Sequence, residues 1–83
     1  MFSFLYSEDF LKCLKKLSNH AQKQTKERLR FFIKQENPLF YAKKLKGMQN
    51  IYRFRIGSYR IIFELENDTI ILLLIKHRKD IYR

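Results

Sequence analysis

The sequence predicts an α+β fold: an N-terminal strand and an αα-hairpin packed on one face of a small, largely antiparallel twisted sheet. Three observations carry this. Apolar residues recur at helical spacing from Phe10 to Ile33. β-rich runs separated by two-residue turns follow from Ile51 onward. With 46% hydrophobic residues, two Gly and one Pro, the composition is that of a folded chain, and residues 1–83 read as one domain.

Phe2 to Tyr6 reads as a short strand. Ser7 is suited to cap a helix, and Glu8 and Asp9 complement the positive end of its dipole. Phe10, Leu11, Leu14 and Leu17 make its apolar side, with Lys12, Lys15 and Lys16 opposite. Ser18-Asn19 ends it and caps a second helix, expected from about His20 to Glu36 with Ala21, Thr25, Leu29, Phe32 and Ile33 on one face. Asn37-Pro38 stops that helix, because a residue before proline avoids the α region. Leu39 to Asn50 is a basic connection with a turn at Lys46-Gly47.

Gly57-Ser58 separates IYRFRI from YRIIFEL, and a Gly-first two-residue loop predicts a type II′ hairpin. That turn pairs Ile56 with Tyr59, Arg55 with Arg60, Phe54 with Ile61, Arg53 with Ile62 and Tyr52 with Phe63. A second turn at Asn67-Asp68 pairs Leu65 with Ile70, Phe63 with Leu72 and Ile61 with Leu74 on the core face. On the other face it pairs Arg60 with Ile75, Ile62 with Leu73 and Glu64 with Ile71. Phe54, Ile61, Phe63, Leu72 and Leu74 are therefore the expected core. The same parity turns His77 toward the arginines.

The charge pattern points to function. Net charge is +10, and Tyr41–Arg60 holds six basic residues and no acid. Arginines placed across a strand pair repel, so the arrangement of Arg53, Arg55 and Arg60 implies a gain elsewhere, and binding a polyanion such as nucleic acid supplies one. Beside them Ile62, Ile71, Leu73 and Ile75 make an apolar half of the same face, which a partner can cover. One Cys, two separated His and few acids make no metal-ligand constellation, so neither metal nor small-molecule cofactor is expected. Cys13 reads as a small apolar residue on a helix, and His20 as a helix-start residue. No secretory signal or membrane-length apolar run is visible, and a cytoplasmic location is expected.

The segments KKLKGMQNIYRFRIGSYRIIFEL and HRKDIYR, within a layout that matches over nearly the whole chain, resemble the RelE/ParE toxin superfamily. The resemblance implies a RelE-like fold and a toxin of a type II toxin–antitoxin system. It implies an endoribonuclease that enters the ribosomal A site and cleaves mRNA without metal, held inactive by an acidic RelB-like antitoxin. Carried over by motif, Arg53 and Arg55 fill the two basic positions before the turn, Arg60 the arginine after it, and Tyr82 the terminal tyrosine. Arg78 fills the C-terminal basic position, with Lys76 or His77 as substitutes. Some members carry lysines where this chain has Arg53 and Arg55; arginine stays protonated and is a poor general base. Catalysis is accordingly expected from Arg60, Arg78, Tyr82 and His77, with Tyr82 acting on the 2′-OH or stacking on a base and His77 shuttling protons. RNA binding is expected from Arg53, Arg55, Lys43, Lys44 and Lys46, and antitoxin binding from Ile62, Leu73 and Ile75. Two alternatives stand beside this: a ParE-like toxin that inhibits DNA gyrase by binding, and a basic RNA-binding domain with no activity.

Overall fold

The computed structural model describes residues 1–81. The elements run β1 (Ser3–Tyr6), α1 (Glu8–Lys15), α2 (Asn19–Lys34), a 3-10 turn (Pro38–Tyr41), β2 (Ala42–Lys44), β3 (Ile51–Ile56), β4 (Tyr59–Glu66), β5 (Thr69–His77) and α3 (Arg78–Ile81). The strands form one sheet in the order β1-β5-β4-β3-β2. Only the β1–β5 pair is parallel. Helices α1 and α2 cover one face, as expected. Phe10 and Leu14 of α1 and Leu29 and Phe32 of α2 join Phe54, Ile56, Ile61, Phe63, Ile70, Leu72 and Ile75 of the sheet in a single core.

The helix starts follow from their caps. Ser7 Oγ accepts from the Phe10 N–H at 3.0 Å, and Ser18 Oγ accepts from the Ala21 N–H at 3.1 Å. Helix α2 ends at Lys34, ahead of the expected Glu36, because Gln35 is already extended. Ile33 was expected on its buried face but is 44% exposed. At 100° per residue Phe32 and Ile33 sit on opposite edges of the apolar stripe, and Phe32 takes the inward place by stacking on Phe54 at 4.2 Å.

The first hairpin has the expected register at every pair from Tyr52↔Phe63 to Ile56↔Tyr59. Gly57 has φ +57°, while Ser58 is not among the positive-φ residues, which is the type II′ pattern. The second hairpin keeps the expected register at Leu65↔Ile70, Glu64↔Ile71 and Phe63↔Leu72, then shifts between Ile62 and Phe63. Beyond that point Ile62 faces Leu74, Ile61 faces Ile75, Arg60 faces Lys76 and Tyr59 faces His77. Leu73 is the extra residue of a β-bulge. Ser7 holds it: its N–H donates to Leu72 O at 3.0 Å, and its hydroxyl donates to Leu73 O at 3.1 Å. The residue that caps α1 thus also satisfies the backbone where β1 leaves β5.

The bulge reverses the parity of everything after it. Ile75, expected on the arginine face, is 1% exposed and lies in the core. Leu74, expected in the core, instead pairs with Ile62 on the uncovered face. One further strand was not expected. Ala42–Lys44 pairs with β3 (Ala42↔Phe54, Lys43↔Arg53, Lys44↔Tyr52) although two of its three residues are lysines. Such lysines suit an edge strand, where charge discourages further pairing.

Thr25 in the middle of α2 is fully buried, and its Oγ1 finds no hydrogen-bond partner. A buried hydroxyl without a partner costs more than a methyl of the same shape. Thr25→Val is therefore expected to stabilise the fold by about 1 kcal/mol. Thermal unfolding should show a rise of about 4–8 °C for a domain of this size.

Candidate functional site

Among the described residues, α1 and α2 pack on one face of the sheet and leave the second without a core helix. Its hairpin end is basic and its middle is apolar. Alternation from the observed pairs puts Lys43, Arg53, Arg55, Arg60 and Lys76 on this face, with Ile62 and Leu74 alongside. Arg78 begins α3 next to them, its N–H donating to Ser58 O in the hairpin turn at 2.8 Å.

Arg60 is the centre of the cluster. It is 4% exposed, one of two polar residues buried among the described ones. Nη1 donates to Gly57 O at 2.9 Å and to Tyr59 O at 2.8 Å, so the hairpin turn fixes one edge of the guanidinium. Nε has no partner. Desolvation lowers the Arg60 pKa first, and the charges of Arg55, Arg53 and Arg78 lower it further. A cation held against those forces is stabilised by any anion that arrives. Among the described residues no three His, Cys, Asp or Glu side chains converge as a metal site.

Of the expected site residues, Arg53, Arg55, Arg60, Arg78 and Lys43 come together. Lys76, weighed only as a substitute, faces Arg60 directly. Lys44 shares the face of Tyr52, away from the arginines, and Lys46 lies in the Lys46-Gly47 turn. His77 does not belong to the cluster. The bulge turns it to the side of Tyr59, which it meets edge-on at 5.5 Å between ring centroids. Its neighbours there are Cys13, Lys16 and Leu17, on the helix-covered side. Tyr82 lies outside the described residues. Of the residues expected to meet an antitoxin, Ile62 and Leu73 are half-buried outside the core, while Ile75 is removed by the bulge and Leu74 takes its place.

The model of the family described as the ParE toxin of type II toxin–antitoxin systems, parDE, matches residues 4–82. A curated relative, toxin RelE3 of Methanocaldococcus jannaschii, is 39% identical over 85 residues, covering 94% of this chain and 92% of the relative. Among solved structures, the RelB–RelE antitoxin–toxin complex of Methanococcus jannaschii is 36% identical with a TM-score of 0.78, covering 94% of each chain. The RelBE2 complex of Mycobacterium tuberculosis has a TM-score of 0.76 over 93% of this chain and 98% of its own, at 20% identity, a likeness of fold. No helix among the described residues is long and apolar enough to cross a membrane.

Proposed function

The chain belongs to the toxin family of type II toxin–antitoxin systems, and on that premise we propose that it is a ribosome-dependent endoribonuclease that cleaves mRNA in the A site without metal. The observation that carries this reading is Arg60, buried, cationic, fixed by its own turn and surrounded by further cations. A surface that only binds protein has no need of a guanidinium fixed by its own turn amid further cations.

The chemistry needs little else. The 2′-OH attacks the adjacent phosphorus, the P–O5′ bond breaks, and a 2′,3′-cyclic phosphate forms. One proton leaves the 2′-oxygen and one reaches the departing 5′-oxygen. Negative charge accumulates on the phosphoryl oxygens, where the charge of Arg60 and its neighbouring cations stabilises it. Arg53, Arg55 and Lys43 hold the strand by neighbouring phosphates, while Lys76 and Arg78 close the other side. Arginine is too basic to take the proton. Tyr82 is assigned that role, on the strength of the family resemblance, and water supplies the proton that the departing 5′-oxygen takes up.

We assign to the same face an acidic RelB-like antitoxin; the similar RelE of Methanococcus jannaschii was solved in complex with RelB. Its apolar segment covers Ile62, Leu73 and Leu74 while its acids meet the arginines. Leu74→Glu is expected to weaken toxin–antitoxin affinity at least about tenfold, consistent with losing a central apolar contact, and to leave the melting temperature of the isolated toxin nearly unchanged. Calorimetric titration with the antitoxin peptide measures it.

The family model carries the ParE description, so gyrase inhibition is the competing reading. Inducing the protein in cells, mapping mRNA 5′ ends against reading frame, and assaying gyrase supercoiling in parallel separates them. Cuts within codons with normal supercoiling support the nuclease; intact mRNA with blocked supercoiling supports gyrase binding.

A further inference from the structure

His77 ends β5 at the point where the chain turns into α3. Its Nδ1 accepts a hydrogen bond from the Lys79 N–H at 3.2 Å. The Arg78 N–H is bound to Ser58 O at 2.8 Å, so the first two amides of α3 are tied, one to the hairpin turn and one to the imidazole. Tyr59, the cross-strand partner, meets the ring edge-on and fixes its plane. Asn and Asp cap helices through this same contact, from a side-chain acceptor to the N–H two residues on.

We infer that His77 is a positioning residue, whose neutral imidazole caps α3 through Nδ1 and so holds Arg78 beside Arg60. The inference rests on the nuclease reading for its effect on activity, though not for the cap itself. An imidazolium has N–H donors at both nitrogens and no acceptor. Protonation therefore removes the cap and releases the turn that carries Arg78. The sign is fixed: the cap is present at higher pH and lost as pH falls. The groups that line a cleft with His77 are Tyr59 from β4, Cys13 from α1, Lys16 just after it, Lys76 from its own strand and Asp80 from α3.

The test compares wild type, His77→Asn and His77→Ala at pH 8 and pH 5.5, using the full chain. Asn offers a capping oxygen that does not titrate; Ala offers nothing. The first readout is the hydrogen-exchange protection factor of the Lys79 amide by NMR. Wild type is expected to lose on the order of fivefold protection at pH 5.5. His77→Asn keeps its protection at both pH values, and His77→Ala lacks it at both. Amides of Phe54 and Phe63, in the core, report that each variant is folded. The second readout is cleavage on programmed ribosomes, where His77→Asn stays near wild type at pH 8 and loses less activity than wild type at pH 5.5. Lys79 protection that is the same in wild type and His77→Ala overturns the cap. Retained Lys79 protection with cleavage abolished in His77→Asn overturns positioning in favour of proton transfer by the imidazole. If wild type itself does not cleave, the nuclease reading fails, and the Lys79 amide still decides the cap.

Discussion

Arg60→Met is expected to slow mRNA cleavage on programmed ribosomes on the order of 100- to 1,000-fold, the loss found when one preorganised donor to a developing charge is removed. The same variant should melt at or above the wild-type temperature. Both halves follow from one arrangement. The guanidinium is nearly covered, burial and three arginines lower its pKa, and Nε has no partner, and these costs offset the two hydrogen bonds that Nη1 gives to Gly57 O and Tyr59 O. Methionine has similar length, fills the same space and carries no charge to desolvate. A variant that is inactive because it is unfolded predicts the opposite melting shift, so thermal denaturation beside the rate measurement separates the two. Arg60→Lys should fall between: it keeps the charge but loses the planar fork that donates to the Gly57 and Tyr59 carbonyls.

Phe54→Ala is expected to destabilise the fold by about 3–5 kcal/mol. That is a large share of the roughly 4–12 kcal/mol that holds a domain of this length together. Phe54 is fully buried and joins four elements: it stacks on Phe32 of α2 at 4.2 Å and Phe63 of β4 at 4.5 Å, and lies parallel to Phe4 of β1 at 6.4 Å. Its neighbours along β3 are Arg53 and Arg55, so the aromatic stack on one face of the strand sets where two cations stand on the other. A melting temperature lowered by about 15 °C or more is the expected reading. A drop of only a few degrees would show that the stack does not organise the core.

The parts of the fold legible in the sequence are those where chemistry alternates. In IYRFRI and YRIIFEL each step from apolar to charged marks a change of face, so the register of the first hairpin follows from its turn and a slip would bury arginine. Ser7 and Ser18 announce helix starts by a side-chain oxygen that the backbone needs. In β5 this signal disappears. Ile70 to Ile75 are all aliphatic, so either face accepts any of them and the extra residue at Leu73 leaves no trace. The misplacements of Ile75, Leu74 and His77 all descend from that one bulge. A hint was present in Ser7, whose second hydrogen-bonding role follows only once β1 is seen beside β5. The strand at Ala42–Lys44 was hidden for another reason: lysine has little strand preference, and only pairing with β3 orders it. The cation cluster was legible because charge must stay on the uncovered face, whereas the burial of Arg60 and its hold on Gly57 and Tyr59 needed the three-dimensional turn.

The most direct test of the account is the chemistry of the cut ends. Ribosomes programmed with a defined mRNA and an empty A site are treated with the wild-type protein, and the fragments are analysed by mass. The account predicts a 2′,3′-cyclic phosphate or 3′-phosphate on the upstream fragment and a 5′-OH on the downstream one, because the attacking group is the RNA's own 2′-OH. Fragments ending in 3′-OH and 5′-phosphate, or intact mRNA from protein that blocks gyrase, would contradict it.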